Sequence, residues 1–143
     1  FQPSLVRRIG DKPQVPVARP AVDADEAHWA AVIAGMMDVV HTQRGTAAAI
    51  SKDLAYTIAG KTGTSQVIGI AQDGVYNEDE ISERHRNHGW FVAFAPVDEP
   101  RIVVVVLAEN GGGSSAAYPV ARRVLDQWMD RWLDDWVMGQ DDV

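Results

Sequence analysis

The stretch from Tyr56 to Val67 constrains the fold of this chain most, because polar residues interrupt a segment that is otherwise typical of a buried strand. β-Branched and aromatic residues recur through it, which favours extended backbone. Side chains alternate between the faces of a strand, so Lys61 and Gly63 share one face while Thr62 and Thr64 share the other. Hydroxyls beside an ammonium can bind a carboxylate, and glycine lets a ligand or another backbone come close. The stretch therefore predicts an anion-binding strand.

Two further strands are predicted downstream of this lysine strand. Gly89–Ala95 is apolar on both alternating faces, which is typical of a strand covered on both sides. Ile102–Leu107 is an unbroken apolar run rich in β-branched residues. The polar turn Pro96–Pro100 joins them, so an antiparallel hairpin is the simplest connection. Together with the lysine strand, they predict an antiparallel sheet of at least three strands.

Amphipathic helices are predicted on either side of these strands in the chain. The first spans Asp23–His41 and opens with the capping-box pattern Asp23-x-x-Glu26. Its apolar residues recur at i, i+3 and i+4, which favours packing on a core over binding a ligand. The second follows a triple glycine, and Ser114 or Ser115 would cap it. The apolar stripe of the first helix comprises Trp29, Val32, Ile33, Met36, Met37 and Val40. The polar side of the second helix comprises Arg122, Arg123, Asp126, Asp130, Arg131, Asp134 and Asp135. These elements predict an α/β (α+β) fold, with an antiparallel sheet flanked by helices.

Two segments are predicted to lack long regular elements. Residues 1–22 hold a strand end at Leu5–Ile9 and then an extended linker, because prolines alternate with valine and alanine. Gly69–His88 is rich in charged residues, and its I-S-E-R-H-R stretch favours one helical turn. His85 and His88 lie near acidic residues, but they lack the i, i+4 spacing of a known zinc motif. A solvated loop over the sheet is therefore the better interpretation of Gly69–His88.

Composition and charge limit the functional classes. With 143 residues, 46% of them apolar, the chain is one domain or a piece of one. A net charge of −7 disfavours binding to nucleic acids or anionic membranes. The absence of cysteine excludes disulfides and thiolate metal sites but leaves the redox compartment open. No apolar run is long enough to span a membrane, no secretory signal is visible, and the start at Phe1 suggests a processed or truncated product.

The order of several motifs resembles one protein family. K-T-G-T at Lys61–Thr64 is followed by S-Q-V, W-F-V-A-F-A-P at Trp90–Pro96 and E-N-G-G-G at Glu109–Gly113, and R-G-T-A at Arg44–Ala47 precedes it. K-T-G is a motif of penicillin-binding proteins and serine β-lactamases. The whole series resembles the C-terminal part of an elongation-type class B penicillin-binding protein transpeptidase domain, and the resemblance covers the chain from about Asp23 onward. It implies a partial transpeptidase fold of the penicillin-binding and serine β-lactamase type, joined to the preceding residues by an extended connection.

This resemblance implies a role for each residue of K-T-G-T. Lys61 would lend positive charge beside a serine nucleophile. Thr62 and Thr64 would bind the terminal carboxylate of a D-Ala-D-Ala stem peptide or of a β-lactam. The backbone N–H of Thr64 would supply half of an oxyanion hole, and Gly63 would leave room for the helix that bears the nucleophile. The implied reaction is acyl transfer through serine, which needs no metal or organic cofactor.

The nucleophile itself is missing from the sequence. In this family it belongs to an S-x-x-K motif opposite an S-x-N motif, and neither motif occurs in the 143 residues. The resemblance therefore implies that the remainder of the same polypeptide carries both motifs, and that this chain alone does not acylate. Other implied partners are a rod-shape glycosyltransferase and scaffold proteins. The implied location is the periplasm, on a protein anchored in the inner membrane.

Several alternatives stay open at the level of sequence. A β-lactamase or a β-lactam-sensing domain would share the K-T-G strand. A P-loop nucleotide binder is close in pattern, but Ala55 stands where the loop needs glycine, and a strand rather than a helix is predicted after Lys61. A non-catalytic binding module would also fit the chain taken alone. Arg44 and Thr46 either contact substrate or position the chain that leads into the lysine strand, and the second interpretation is favoured.

Overall fold

A computed structural model describes residues 6–15, 17, 22–69 and 76–138, with side chains described up to Trp132 in the last helix. The chain divides into two compact units, Phe1–Ala31 and Val32–Val143. In the first unit, strands β1 (Arg8–Ile9) and β2 (Lys12–Pro13) form a small antiparallel hairpin with exposed side chains. The predicted strand at Leu5–Ile9 is therefore confirmed only at Arg8–Ile9, because Val6 and Arg7 are not in a strand and Leu5 lies outside the described residues.

The first helix, α1 (Glu26–His41), begins at Glu26 rather than at Asp23. The backbone carbonyl of Asp25 accepts the N–H groups of His28 (3.0 Å) and Trp29 (3.2 Å), so Asp25 opens the first turn and the predicted start was too early. The predicted core-facing stripe is also only partly present. Val40 is fully buried, whereas Trp29 and other residues nearer the start of α1 are exposed or half-buried.

Three antiparallel strands form the sheet of the second unit, as predicted. Strand β3 (Ala59–Ser65) pairs with β4 (His88–Ala95), which pairs with β5 (Ile102–Ala108). β3 begins only at Ala59, so the prediction of continuous strand from Tyr56 was wrong. The hairpin of β4 and β5 is confirmed, with Ala95 opposite Ile102 at the turn.

The inner face of the sheet packs on the second helix, α2 (Tyr118–Met138). A 3₁₀ turn at Ser114–Ala116 precedes α2, so neither serine caps the α-helix itself as predicted. Each large apolar side chain buried here contributes about 1.5–3 kcal/mol relative to an exposed one. The core comprises Val40, Ala47, Ile50, Ile58, Phe91, Ala93, Ala95, Val104, Ala117, Ala121 and Leu125.

The outer face of the sheet is apolar and largely uncovered by the described residues. Trp90, Val92 and Phe94 are half-buried there. Val103 and Val105 on β5 are 67% and 59% exposed. β4 is therefore covered on one face only within the described part of the chain, where coverage of both faces was predicted. Among the described helices, none combines the length and the hydropathy that crossing a bilayer requires.

Candidate active site

The K-T-G-T residues lie on β3, which is an edge strand within the described sheet. The register puts Lys61 opposite Val92 and Gly63 opposite Trp90, on the outer face. Thr62 is opposite Phe91 and therefore shares the inner face with it. The predicted alternation of side chains is thus confirmed. Lys61 and Thr64 are exposed, whereas Thr62 and Gly63 are half-buried, so the strand offers charge, hydroxyls and backbone to a ligand.

The ammonium of Lys61 turns back onto its own strand. Its Nζ donates a hydrogen bond of 2.6 Å to the backbone carbonyl of Thr62. An ammonium has three donor protons, so this bond leaves capacity for an anion at the same position. The side chain is exposed on the outer face, where a ligand can reach it from solvent.

A loop between α1 and β3 holds the hydroxyl of Thr62. The Oγ1 atoms of Thr46 and Thr62 are 2.8 Å apart. The sequence left open whether Thr46 contacts substrate or only positions the chain before the lysine strand. In the structure, its hydroxyl contacts the K-T-G-T strand directly. No local periodicity signals a contact between residues this far apart in the chain.

On the outer face, the indole of Trp90 lies beside the glycine of K-T-G-T. A Cβ at Gly63 would lie 3.3 Å from the Cβ of Trp90, which is a tight contact. The indole Nε1 donates a hydrogen bond of 2.9 Å to the hydroxyl of Ser65. Trp90 therefore fixes the end of β3 as well as its outer face, a role that the sequence did not suggest.

Behind Thr64, the E-N-G-G-G segment packs against the start of β4. Gly89 is opposite Thr64, and a Cβ at Gly89 would lie 2.5 Å from the backbone carbon of Gly113. No side chain larger than hydrogen fits there. Asn110 also connects this segment to the start of β4, because its backbone N–H donates a hydrogen bond of 2.9 Å to Nδ1 of His88.

Up to Arg86, the described side chains of the segment before β4 are exposed or half-buried, as predicted for a solvated loop, whereas its end is held by hydrogen bonds. Asn87 is buried, and its backbone N–H donates to the Tyr76 hydroxyl at 3.0 Å. The side-chain amide of Asn110 donates to the backbone carbonyls of Arg84 and Arg86. The predicted helical turn is present as a 3₁₀ turn at Glu83–His85. Within the described residues, no group of three or more histidines and acidic residues is placed to hold a metal ion.

A polar network fixes the segment that leads into β3. Nε of Arg122 on α2 donates to the carboxylate of Asp126 at 2.6 and 2.8 Å, and Nη1 donates to the carbonyls of Ile50 and Lys52. The hydroxyl of Tyr56 donates to the same carboxylate at 2.7 Å. Burial raises the pKa of Tyr56 above its ordinary value, and the hydrogen bond to Asp126 and the carboxylate charge raise this pKa further.

Arg122 and Asp126 were predicted to lie on the polar side of α2 and are instead part-buried. They flank the buried positions Ala121 and Leu125, so they reach the loop that the helix covers. Their i, i+4 spacing was visible in the sequence, but its partner Tyr56 was not.

A second anchor joins α1 to the beginning of β3. The backbone N–H of Ile58 donates to Nε2 of His41 at 3.1 Å, which requires that nitrogen to carry a lone pair. The hydroxyl of Thr57 accepts the backbone N–H of Val97 at 3.0 Å. The strand that bears K-T-G-T is thus held from both helices and from the β4–β5 turn.

The structure removes the P-loop alternative. Lys61 lies within a paired strand, and residues 66–69 after it are irregular rather than helical. A P-loop lysine instead stands at the start of a helix whose N–H groups cradle phosphates. The geometry of β3 therefore does not provide that cradle.

Comparisons with known proteins agree on one family. The family model for the penicillin binding protein transpeptidase domain matches residues 1–127. The peptidoglycan D,D-transpeptidase MrdA of Haemophilus influenzae is 42% identical over 104 residues, which cover 72% of this chain and 16% of that protein. MrdA of Acinetobacter baumannii is 46% identical over 101 residues, covering 71% of this chain and 15% of that protein.

Solved structures agree with these sequence matches. Pseudomonas aeruginosa PBP2 in complex with WCK 5153 has a TM-score of 0.61 at 40% identity, over 89% of this chain and 25% of that one. Helicobacter pylori PBP2 in complex with MreC has a TM-score of 0.51 at 31% identity, over 62% of this chain and 15% of that one. The chain spans about a sixth of the length of the curated relatives it matches.

Proposed function

The chain belongs to the penicillin binding protein transpeptidase domain family, and we propose that it forms the K-T-G-T wall of a peptidoglycan D,D-transpeptidase active site. In this proposal, residues 23–143 are the C-terminal part of the domain and residues 1–22 are the connection before it. The nucleophilic serine of S-x-x-K and the S-x-N motif come from another segment of the same polypeptide. The observation that carries the proposal is the position of K-T-G-T on an edge strand, where Lys61 and Thr64 are exposed on its two faces.

Each residue of the strand has a role in the proposed acyl transfer. Thr62 and Thr64 hold the terminal carboxylate of a D-Ala-D-Ala stem peptide, and β-lactams bind there because they carry an equivalent carboxylate. Lys61 stabilises negative charge beside the nucleophile and favours its deprotonated form. The backbone N–H of Thr64 donates to the oxyanion that forms when serine attacks the carbonyl, and loss of such a donor costs about 3–4 kcal/mol. Gly63 leaves room for the nucleophile's helix.

The outer face of the sheet gives the missing segment a place to pack. Lys61 and Gly63 lie on this face together with Val105 and Leu107, which are 59% and 41% exposed. An uncovered apolar patch next to a site is typical of an interface. We infer that the segment bearing S-x-x-K covers this patch and thereby brings its serine to the Lys61 side of β3.

We propose the partners and the location by analogy with the family. The Helicobacter pylori PBP2 structure contains MreC, and for this protein we propose a comparable scaffold partner together with a rod-shape glycosyltransferase. A periplasmic location, on a protein anchored in the inner membrane, would bring the site to its stem-peptide substrate. The net charge of −7 supports the absence of a nucleic-acid partner.

Acylation by a fluorescent penicillin tests the proposal. In the complete protein that contains this chain, the wild type should form a covalent adduct on the serine of S-x-x-K. Lys61→Ala should slow acylation by about 100-fold or more, because it removes charge stabilisation at the reacting centre. Lys52→Ala is the matched control, since Lys52 is exposed in the turn before β3. Absence of any adduct on the wild type, or equal rates for wild type and Lys61→Ala, would reject the proposal.

A further inference from the structure

The R-G-T-A loop is built around one exposed hydroxyl. A Cβ at Gly45 would lie within 2.5 Å of the carbonyl oxygen of Asp38, so only glycine lets the loop approach the end of α1 this closely. Ala47 is fully buried, and its backbone N–H donates to the carbonyl of Val39 at 2.9 Å. Thr46 stands between these two fixed points and is itself exposed. The backbone contacts of Gly45 and Ala47 therefore set the direction of the Thr46 side chain, which is not packed itself.

That hydroxyl meets the one on β3. The Oγ1 atoms of Thr46 and Thr62 are 2.8 Å apart, which is the ordinary O–H···O distance. Each hydroxyl has a single proton, so only one of the two donates in this bond. If the Thr62 hydroxyl donates its hydrogen bond to a carboxylate, Thr46 must be the donor in the bond between the two threonines.

We propose that Thr46 is a positioning residue that donates to Thr62 and so aims the Thr62 proton at the carboxylate of the acyl donor. This inference rests on the proposed transpeptidase function and deepens it, because it assigns the selection of a free carboxylate to a residue outside K-T-G-T. The two hydroxyls and the carboxylate form a chain in which each bond polarises the next. Without Thr46, the Thr62 hydroxyl loses its donor and turns freely.

The bond is not required to satisfy the hydroxyl of Thr46. Thr46 is exposed, so water would satisfy its hydroxyl equally well. The hydrogen bond therefore contributes little to the stability of the fold. Removal of the hydroxyl should therefore leave folding nearly intact while it disturbs recognition.

The experiment compares acylation by a free acid and by its ester. The complete protein is treated with a fluorescent penicillin and with the methyl ester of the same compound, and second-order acylation rates are measured. Thr46→Val removes the hydroxyl at constant shape, and Thr46→Ser retains it. Thr42→Val is the matched control, because Thr42 is an exposed neighbour whose hydroxyl donates only to the carbonyl of Asp38 at 2.7 Å. The double variant Thr46→Val with Thr62→Val tests whether the two hydroxyls act together.

We expect the acylation rate to fall with the free acid but not with the ester. Thr46→Val should slow acylation by the acid by about five- to tenfold and leave the rate with the ester nearly unchanged. Thr46→Ser and Thr42→Val should behave as the wild type, and Thr46→Val should add nothing to Thr62→Val. Equal losses with acid and ester, an additive double variant, or an unchanged Thr46→Val would overturn the role of Thr46 while the wild type still acylates. A wild type that forms no adduct at all would reject the proposed function, and this inference with it.

Discussion

At the scale of single residues, the sequence predicts well which face of a strand a side chain occupies. It predicts poorly which residues from distant parts of the chain contact that side chain. Alternation along a strand is a property of the backbone, so the separation of Lys61 from Thr62 onto opposite faces follows from their order alone. The bond between Thr46 and Thr62 depends instead on where a loop returns to the sheet. The same distinction explains why the alternation along β4 separates Trp90 from Phe91, whereas the hydrogen bond of Trp90 to Ser65 was not predicted.

Gly45 offers a test of how tightly the R-G-T-A loop is held. Gly45→Ala should lower the free energy of unfolding by about 1–3 kcal/mol, because the new Cβ would collide with backbone carbonyl oxygens of α1 that cannot move away easily. Gly35→Ala is the matched control within α1, since no described atom lies within 4 Å of its added Cβ. It should be neutral or stabilising by up to about 1 kcal/mol. Urea denaturation of the complete protein measures both, and equal effects of the two substitutions would contradict a tight loop.

At the scale of elements, predicted bounds were wrong where tertiary contacts replace local ones. Tyr56 and Ile58 are good strand formers, but they precede β3. The Tyr56 hydroxyl is bound by Asp126 of α2, and the N–H of Ile58 donates to His41 of α1. Neither partner is near in sequence, so propensity extended the strand too far. The existence of helix α2 was predicted correctly because amphipathic periodicity over several turns is a strong signal, but its first residue was not.

The bond between Tyr56 and α2 makes stability depend on alkaline pH. The pKa of Tyr56 is raised above 10.0 in the folded state, so the folded protein holds this proton more tightly than the unfolded chain does. Its contribution is fully present below pH 10 and is lost as pH rises from 10 toward the higher folded-state pKa. Tyr56→Phe has no such proton, so its free energy of unfolding should fall less steeply over that range.

Urea denaturation at about pH 8 and about pH 11 checks this prediction. Near neutrality, Tyr56→Phe should be less stable than the wild type by about 1–2 kcal/mol, since one part-buried hydrogen bond to a carboxylate is lost. The difference between the two proteins should then narrow at the higher pH. A difference that stays constant or widens would show that Tyr56 does not couple α2 to the segment before β3.

At the scale of the whole molecule, the strand patterns predicted the antiparallel sheet and the order of motifs predicted the family, and the structure and the comparisons confirm both. What the sequence could not give was which apolar residues remain uncovered. Val104 and Val105 are neighbours in one valine run, yet Val104 is buried under α2 and Val105 is 59% exposed. Burial on the outer face depends on whatever packs there, and composition carries no record of that partner.

Val105 therefore tests whether the outer face is an interface in the complete protein. If the segment bearing S-x-x-K covers it, Val105→Lys would bury an ammonium without a partner and should lower the free energy of unfolding by about 2 kcal/mol or more. Gln127→Lys is the matched control, because Gln127 is an exposed polar residue on α2. It should change stability by less than about 0.5 kcal/mol. Thermal unfolding of the two variants measures the difference. A Val105→Lys protein as stable as the control would mean that the outer face stays open to solvent, and the nucleophile would then have to approach Lys61 from beyond the edge of β3.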